Sequence, residues 1–267
     1  MKLASSIAVI SLALLFTIGS TAHSGPSQTD RRITEIAGRS ACARHNWPGR
    51  GVAPIGYFKG IALVYAKSLC ESGGSVETAA AIMRRPLLRN GEDSLVRYER
   101  DLRMSGIDAS NEIERLRAVY TLAIGEGMRE SSGNTTEGFD ASADSPRTAD
   151  NSEAGLFQSS FDSIGRSTAL TKLFEQYKAN PGACLLSTFM EGITPRQIDR
   201  RPVVGTGPGA EFQRFTRECP AFATEYAMVM FRINRSHFGP IKRHEAQFFK
   251  PCSDMLKEVE AVVTCSP

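Results

Sequence analysis

The chain has 267 residues, 41% hydrophobic and 23% charged, with Lys+Arg 32 against Asp+Glu 29 and a formal net charge of +3. These values sit near those of globular proteins and exclude a collagen-like, coiled-coil or wholly disordered chain. So small a positive excess gives no footprint for nucleic acid, and the length is enough for one large core or two small ones.

The N-terminus carries Lys2, a 12-residue apolar run over residues 7–18, and then Gly19-Ser20-Thr21-Ala22. A positive start, a short apolar run and small residues before a cut after Ala22 are the layout of a signal peptide. The run is shorter than the roughly 20 residues that span a bilayer. A membrane anchor or a buried strand is the alternative. The expected division is a signal peptide over residues 1–22 and an exported mature chain over residues 23–267. That chain would be periplasmic or extracellular, without a membrane span.

All six cysteines, Cys42, Cys70, Cys184, Cys219, Cys252 and Cys265, fall in the mature part. An even number in an exported chain predicts three disulfides whose connectivity the sequence leaves open. Cys252 with Cys265 closes a short C-terminal loop and is the first choice, with Cys42–Cys70 and Cys184–Cys219 next. With no Cys-x-x-Cys pair and four histidines, no metal site is expected, and no cofactor is implied.

Residues 23–31 are polar and read as a frayed start. Residues 55–70 carry apolar side chains at helical spacing. Residues 75–85 are Ala-rich and helical, and Pro86 ends that helix. Asn90-Gly91 is a turn. Residues 92–104 and 111–130 read as two more helices, the second capped by Asp108 or Ser110. Residues 131–153 are polar and without apolar periodicity, an excursion long enough to be functional or to hide short strands. Helical pattern returns from Gly155 to about residue 179. Residues 202–209 form a Gly/Pro loop, and residues 221–237 and 241–263 are helical again. The predicted fold is mainly α.

On a helical wheel Leu116, Val119, Tyr120, Ala123 and Gly127 form one stripe, and Glu130 lies about 20° from Ala123. The sequence thus aims a carboxylate at the apolar side of the last turn of a helix. Burial and the negative end of the helix dipole both favour the protonated carboxyl, which a general acid requires. The alternative is a helix that ends there with the side chain bent into solvent.

Gly127-Met128-Arg129-Glu130-Ser131-Ser132-Gly133 is followed, after the polar excursion, by Glu153-Ala154-Gly155-Leu156-Phe157-Gln158-Ser159. This ordered pair resembles the lysozyme-like superfamily, in particular lytic transglycosylases and goose-type lysozymes. There a helix ends in Glu-Ser, and a Gly-Leu-x-Gln segment begins the next helix. The resemblance covers roughly residues 119–160, with a fainter echo near the C-terminus, and does not reach residues 23–110. Gly155 follows Glu130 by 25 positions, a wider spacing than is usual in those families.

The resemblance implies a lysozyme-like α+β domain over residues 23–267, with an N-terminal helical extension over about 33–110. A long polar active-site loop or small β-region would lie between the two motif helices. It implies cleavage of the β-1,4 bond between MurNAc and GlcNAc in peptidoglycan or a related GlcNAc-containing glycan. Glu130 would be the catalytic acid, and Ser131, Gly155 and Gln158 would lie along the sugar groove. Asp150 is the candidate second carboxylate that orients water, with Asp140 and Asp144 in the same loop. Ser160 stands where goose-type lysozymes place an aspartate, which favours the transglycosylase route to a 1,6-anhydro product. Phe231 stands near a position that transglycosylases fill with tyrosine, and Asn234 or His237 could substitute for the missing hydroxyl. The alternative function is a non-catalytic, glycan-binding envelope protein of the same fold.

Overall fold

The longest helix is also among the most deeply covered. A computed structural model describes residues 26–71, 78–139 and 147–265. The expected signal peptide, Asp140 and Asp144 lie outside the described residues. In chain order the helices are α1 (Gln28–Arg39), α2 (Ile55–Cys70), α3 (Ala79–Arg84), α4 (Ser94–Arg97), α5 (Glu99–Met104), α6 (Glu112–Ser131), α7 (Thr168–Ala179), α8 (Leu186–Phe189), α9 (Pro208–Glu218), α10 (Pro220–Ile233), α11 (Gly239–Arg243) and α12 (Lys250–Glu260).

Helix α6 is buried on every face from Arg115 to Met128. It starts where Asn111, rather than Asp108 or Ser110, accepts from the Glu114 amide at 3.0 Å, leaving Glu112 and Glu114 in the first turn, where they suit the helix dipole. It ends one residue past Glu130, where Ser132 turns left-handed (φ 55°) and the Gly133 amide bonds back to the Gly127 carbonyl. Helices α2, α3, α10, α11 and α12 pack around it. A helix enclosed on all sides has no single apolar stripe. The wheel therefore could not choose a direction for Glu130, and Glu126, off the stripe, is also fully buried.

One hydrophobic core runs from Ile33 to Val259. The segment expected to be a helical extension contributes Tyr57, Phe58, Ile61 and Tyr65 to it, so its described residues share this core. Among the described residues there is no strand or sheet. The extended pairings there are two isolated bridges, Trp47 with Gly51 and Ala154 with Ser159. The described residues of the polar excursion carry turns where short strands are one expectation.

Several boundaries differ from the sequence reading. Helix α1 occupies part of the expected frayed start, secured by a capping box between Ser27 and Asp30. Helix α9 begins at Pro208-Gly209, residues read as loop, because proline is well placed at a helix's first position. The helix expected over 241–263 is broken at His244, which turns left-handed (φ 62°).

The disulfides are Cys42–Cys252, Cys70–Cys265 and Cys184–Cys219. Three bridges suit a chain exported to an oxidising compartment. Two of the expected pairings are replaced. Cys252 lies in α12, and that 11-residue helix carries the chain away from it toward Cys265. Helix α2 likewise separates Cys42 from Cys70 by 16 helical residues. The eight residues after Cys252 in α12 rise about 12 Å and the 16 of α2 about 24 Å at 1.5 Å per residue, each beyond the roughly 7 Å that a disulfide can bridge. Among the described residues no helix is long and apolar enough to cross a membrane.

Candidate functional site

A cleft of about 580 Å³ opens at the C-terminal end of α6. Glu130 is half-buried in its wall, together with Gln158, His237 and four arginines, Arg50, Arg129, Arg201 and Arg243. Three further carboxylates, Glu137, Glu153 and Glu245, face the same space. The surface is overwhelmingly polar.

Residues 153–159 form a buried turn. Ala154 and Ser159 exchange backbone hydrogen bonds at 3.1 and 3.3 Å, and the Gly155 amide donates to the Glu137 carbonyl at 2.8 Å. Gly155 (φ 76°) and Gln158 (φ 46°) both turn left-handed. These two residues explain why the helix expected from Gly155 onward begins only at a 3-10 turn over Phe161–Arg166, followed by α7. A side chain at Gly155 would meet the Thr216 carbonyl at 2.8 Å, so the glycine is needed for packing under α9 rather than for approach of a glycan. Gln158 folds its amide back to the Gly155 carbonyl at 3.0 Å and presents its remaining surface to the cleft.

Ser131 is 5% exposed. Its hydroxyl donates within the carbonyl pair of Gly127 (3.0 Å) and Leu156 (2.8 Å). It joins the end of α6 to the turn and takes no place in the cleft lining. Beneath them, Gly127 allows the Tyr57 hydroxyl and the Phe157 ring to pack against the helix.

Two ion-pair groups shape the walls. Arg201 binds Asp199 through Nε at 2.8 Å and Glu137 through Nη2 at 2.9 Å, and donates to the Phe139 carbonyl at 2.7 Å. Burial works against an ionised Asp199, but hydrogen bonds from Arg201 and the Gly138 amide outweigh it and hold the carboxyl down at about 2. Burial and the neighbouring Asp199 push Glu137 upward, against the pull of Arg201. On the other wall, Glu245 accepts from Arg243 Nε at 2.8 Å and from Arg129 at 3.4 Å. Burial lowers the His237 pKa, favouring a neutral imidazole.

The remaining expected site residues lie elsewhere. Asp150 is exposed and packs beside Gly209 at the start of α9, outside the cleft lining. Phe231 is wholly buried between Phe157 and Phe238, so no glycan can touch it. Asn234 ends α10, where its side chain accepts from the Ser236 hydroxyl at 2.9 Å. Its neighbour His237 is the one that reaches the cleft. Sequence reading missed Arg201, Arg243, Glu137 and Glu245. Their partners are set by distant loops or depend on chain reversal, and no local motif marks them.

No protein-family model, no curated protein and no solved structure matches this chain.

Proposed function

We propose that the protein cleaves the β-1,4 glycosidic bond of peptidoglycan, with Glu130 as general acid. The observation that carries this reading is the meeting of Glu130 and Gln158, from two motifs distant in sequence, in the wall of one polar cleft. Glu130 is half-buried at the end of an enclosed helix. As the bond between C1 and the leaving oxygen breaks, Glu130 gives its proton to that oxygen and becomes a carboxylate. The C6 hydroxyl of the same sugar then adds to C1 and returns its proton to Glu130, leaving a 1,6-anhydro end. This route needs no second carboxylate, which agrees with an Asp150 that lies outside the cleft.

Purified mature protein should release soluble muropeptides from isolated walls. Glu130→Gln, nearly isosteric but unable to deliver a proton, should lower turnover by roughly 10²–10⁴-fold while still binding glycan. Glycan binding by the wild type with no cleavage under any condition would establish the non-catalytic alternative.

A further inference from the structure

One helical turn before Glu130, on the same helix, stands Glu126. It is 0% exposed, and among the described residues no N–H or hydroxyl donor reaches either oxygen of its carboxyl. Residues four apart on a helix lie on one face with their side chains adjacent, and the Glu130 carboxyl is within hydrogen-bonding reach of Glu126. Two carboxyl groups can hydrogen-bond only if one of them holds a proton.

Which one holds it follows from where they sit. Glu130 opens to the cleft, while Glu126 is sealed beneath it. An ionised Glu126 would have neither water nor a donor for its charge. The other groups that act on it do not change this. Tyr57 commits its hydroxyl to the Ile124 carbonyl at 2.8 Å. Tyr98, between α4 and α5, brings no positive charge and feels the same field. Arg129 and Arg243 favour an ionised Glu126, but both guanidiniums are engaged with Glu245 at the cleft surface. Burial and the Glu130 charge dominate and push Glu126 well above the usual carboxylate range.

We propose that Glu126 permanently keeps its proton and donates it in a hydrogen bond to Glu130, stabilising the carboxylate that Glu130 becomes when it protonates the leaving oxygen. Glu126 is thus a positioning residue for the proton donor, and this role in the reaction rests on the reading of Glu130 as the acid. A hydrogen bond to an ionised acceptor is about twice as strong as one to a neutral acceptor. The contact therefore strengthens as the proton leaves Glu130, and weakens again when Glu130 recovers a proton from the attacking hydroxyl. The Glu126 proton never departs, so the cycle balances with Glu130 alone exchanging protons with substrate.

The test has a directional outcome. In the folded chain without substrate, carbon-13 NMR titration of glutamate carboxyls should show one still protonated at neutral pH, and Glu126→Gln should remove that signal. Ionisation of both groups of the pair in the ordinary acidic range would overturn the proposal. Glu126→Leu deletes the donor, so the Glu130 midpoint and the alkaline limb of the activity profile should rise by roughly one pH unit, the scale of one hydrogen bond. Glu126→Gln, which keeps an N–H donor, should shift them less and retain more turnover than Glu126→Leu. Were Glu126 an anion, deleting it would move the Glu130 midpoint downward. The titration needs no activity. An expected titration with no wall cleavage would sink the glycosidase reading alone, and cleavage with a downward shift would sink this one alone.

Discussion

The Ser131 hydroxyl and the Leu156 carbonyl meet at 2.8 Å across 25 residues of chain. The residue beside the expected acid and the residue after Gly155 are therefore locked to each other, and through them the two halves of the cleft wall keep a fixed separation. A serine that sequence resemblance places along the sugar groove is here an internal fastener.

Ser131→Ala should destabilise the protein by about 1–3 kcal/mol, because it leaves the buried Leu156 carbonyl without this donor. A fall of a few degrees in Tm follows. Turnover on walls should fall as well, since Gln158 would no longer be held against the Glu130 helix. Tm equal to wild type would show that another donor replaces the hydroxyl.

The elements legible in the sequence are those with unbroken periodicity and clear stops. Helix α2 occupies the expected residues, and the α6 boundaries shift by only one at each end. Elements that open on polar or Pro/Gly residues, α1 and α9, look like loops until their caps are seen. Glu130 and Gln158 were visible because each sits in a short motif. Glu126 was not, because an enclosed helix gives no polar face against which a buried carboxylate would stand out. The Arg201 cluster and two disulfides join segments whose proximity only the fold decides.

A second consequence of chain-distant pairing concerns stability. Arg232 of α10 and Asp93 at the start of α4 form an ion pair at 2.9 Å, with both side chains 0% exposed. Asp93 also accepts from the Leu88 and Leu95 amides, and Arg232 donates to carbonyls of Met83, Arg85 and Pro86. Asp93→Ala leaves a buried guanidinium without its counter-charge and should cost about 3–5 kcal/mol. Arg232→Met in the Asp93→Ala background should recover part of that loss in urea denaturation. Additive losses would mean the two residues act separately.

Asp199 gives the cleft wall an acid limit. Its carboxyl, 10% exposed and bound by Arg201, is held near 2 against an ordinary 3.8. A depressed value means that the folded state gains from ionisation. The gain is fully present above about pH 4 and disappears as pH falls through about 2, and it amounts to about 2 kcal/mol. Stability measured by denaturation at stepped pH should therefore decline across that window. Asp199→Asn should be less stable at neutral pH and flatter below pH ~4. An unchanged acid slope in the variant would assign the decline to other carboxylates.

Two ways of completing glycosidic cleavage differ in which carboxylates they need. A water-using enzyme needs a carboxylate within the cleft to orient that water, on the opposite face of the sugar from the acid or as a nucleophile near it. Asp150 lies outside the cleft lining, whereas Glu153, at the start of the motif turn, lines the cleft. Under the transglycosylase reading, the substrate's own hydroxyl attacks. Asp150→Asn and Glu153→Gln should then each keep turnover within a few-fold of wild type, far from the ~10²-fold or greater loss expected for Glu130→Gln. Mass analysis of the digested wall should show muropeptides lighter by one water than their hydrated counterparts. Fully hydrated ends, with a large loss in kcat and little change in KM for Glu153→Gln, would instead assign Glu153 a transition-state role and make the enzyme a hydrolase.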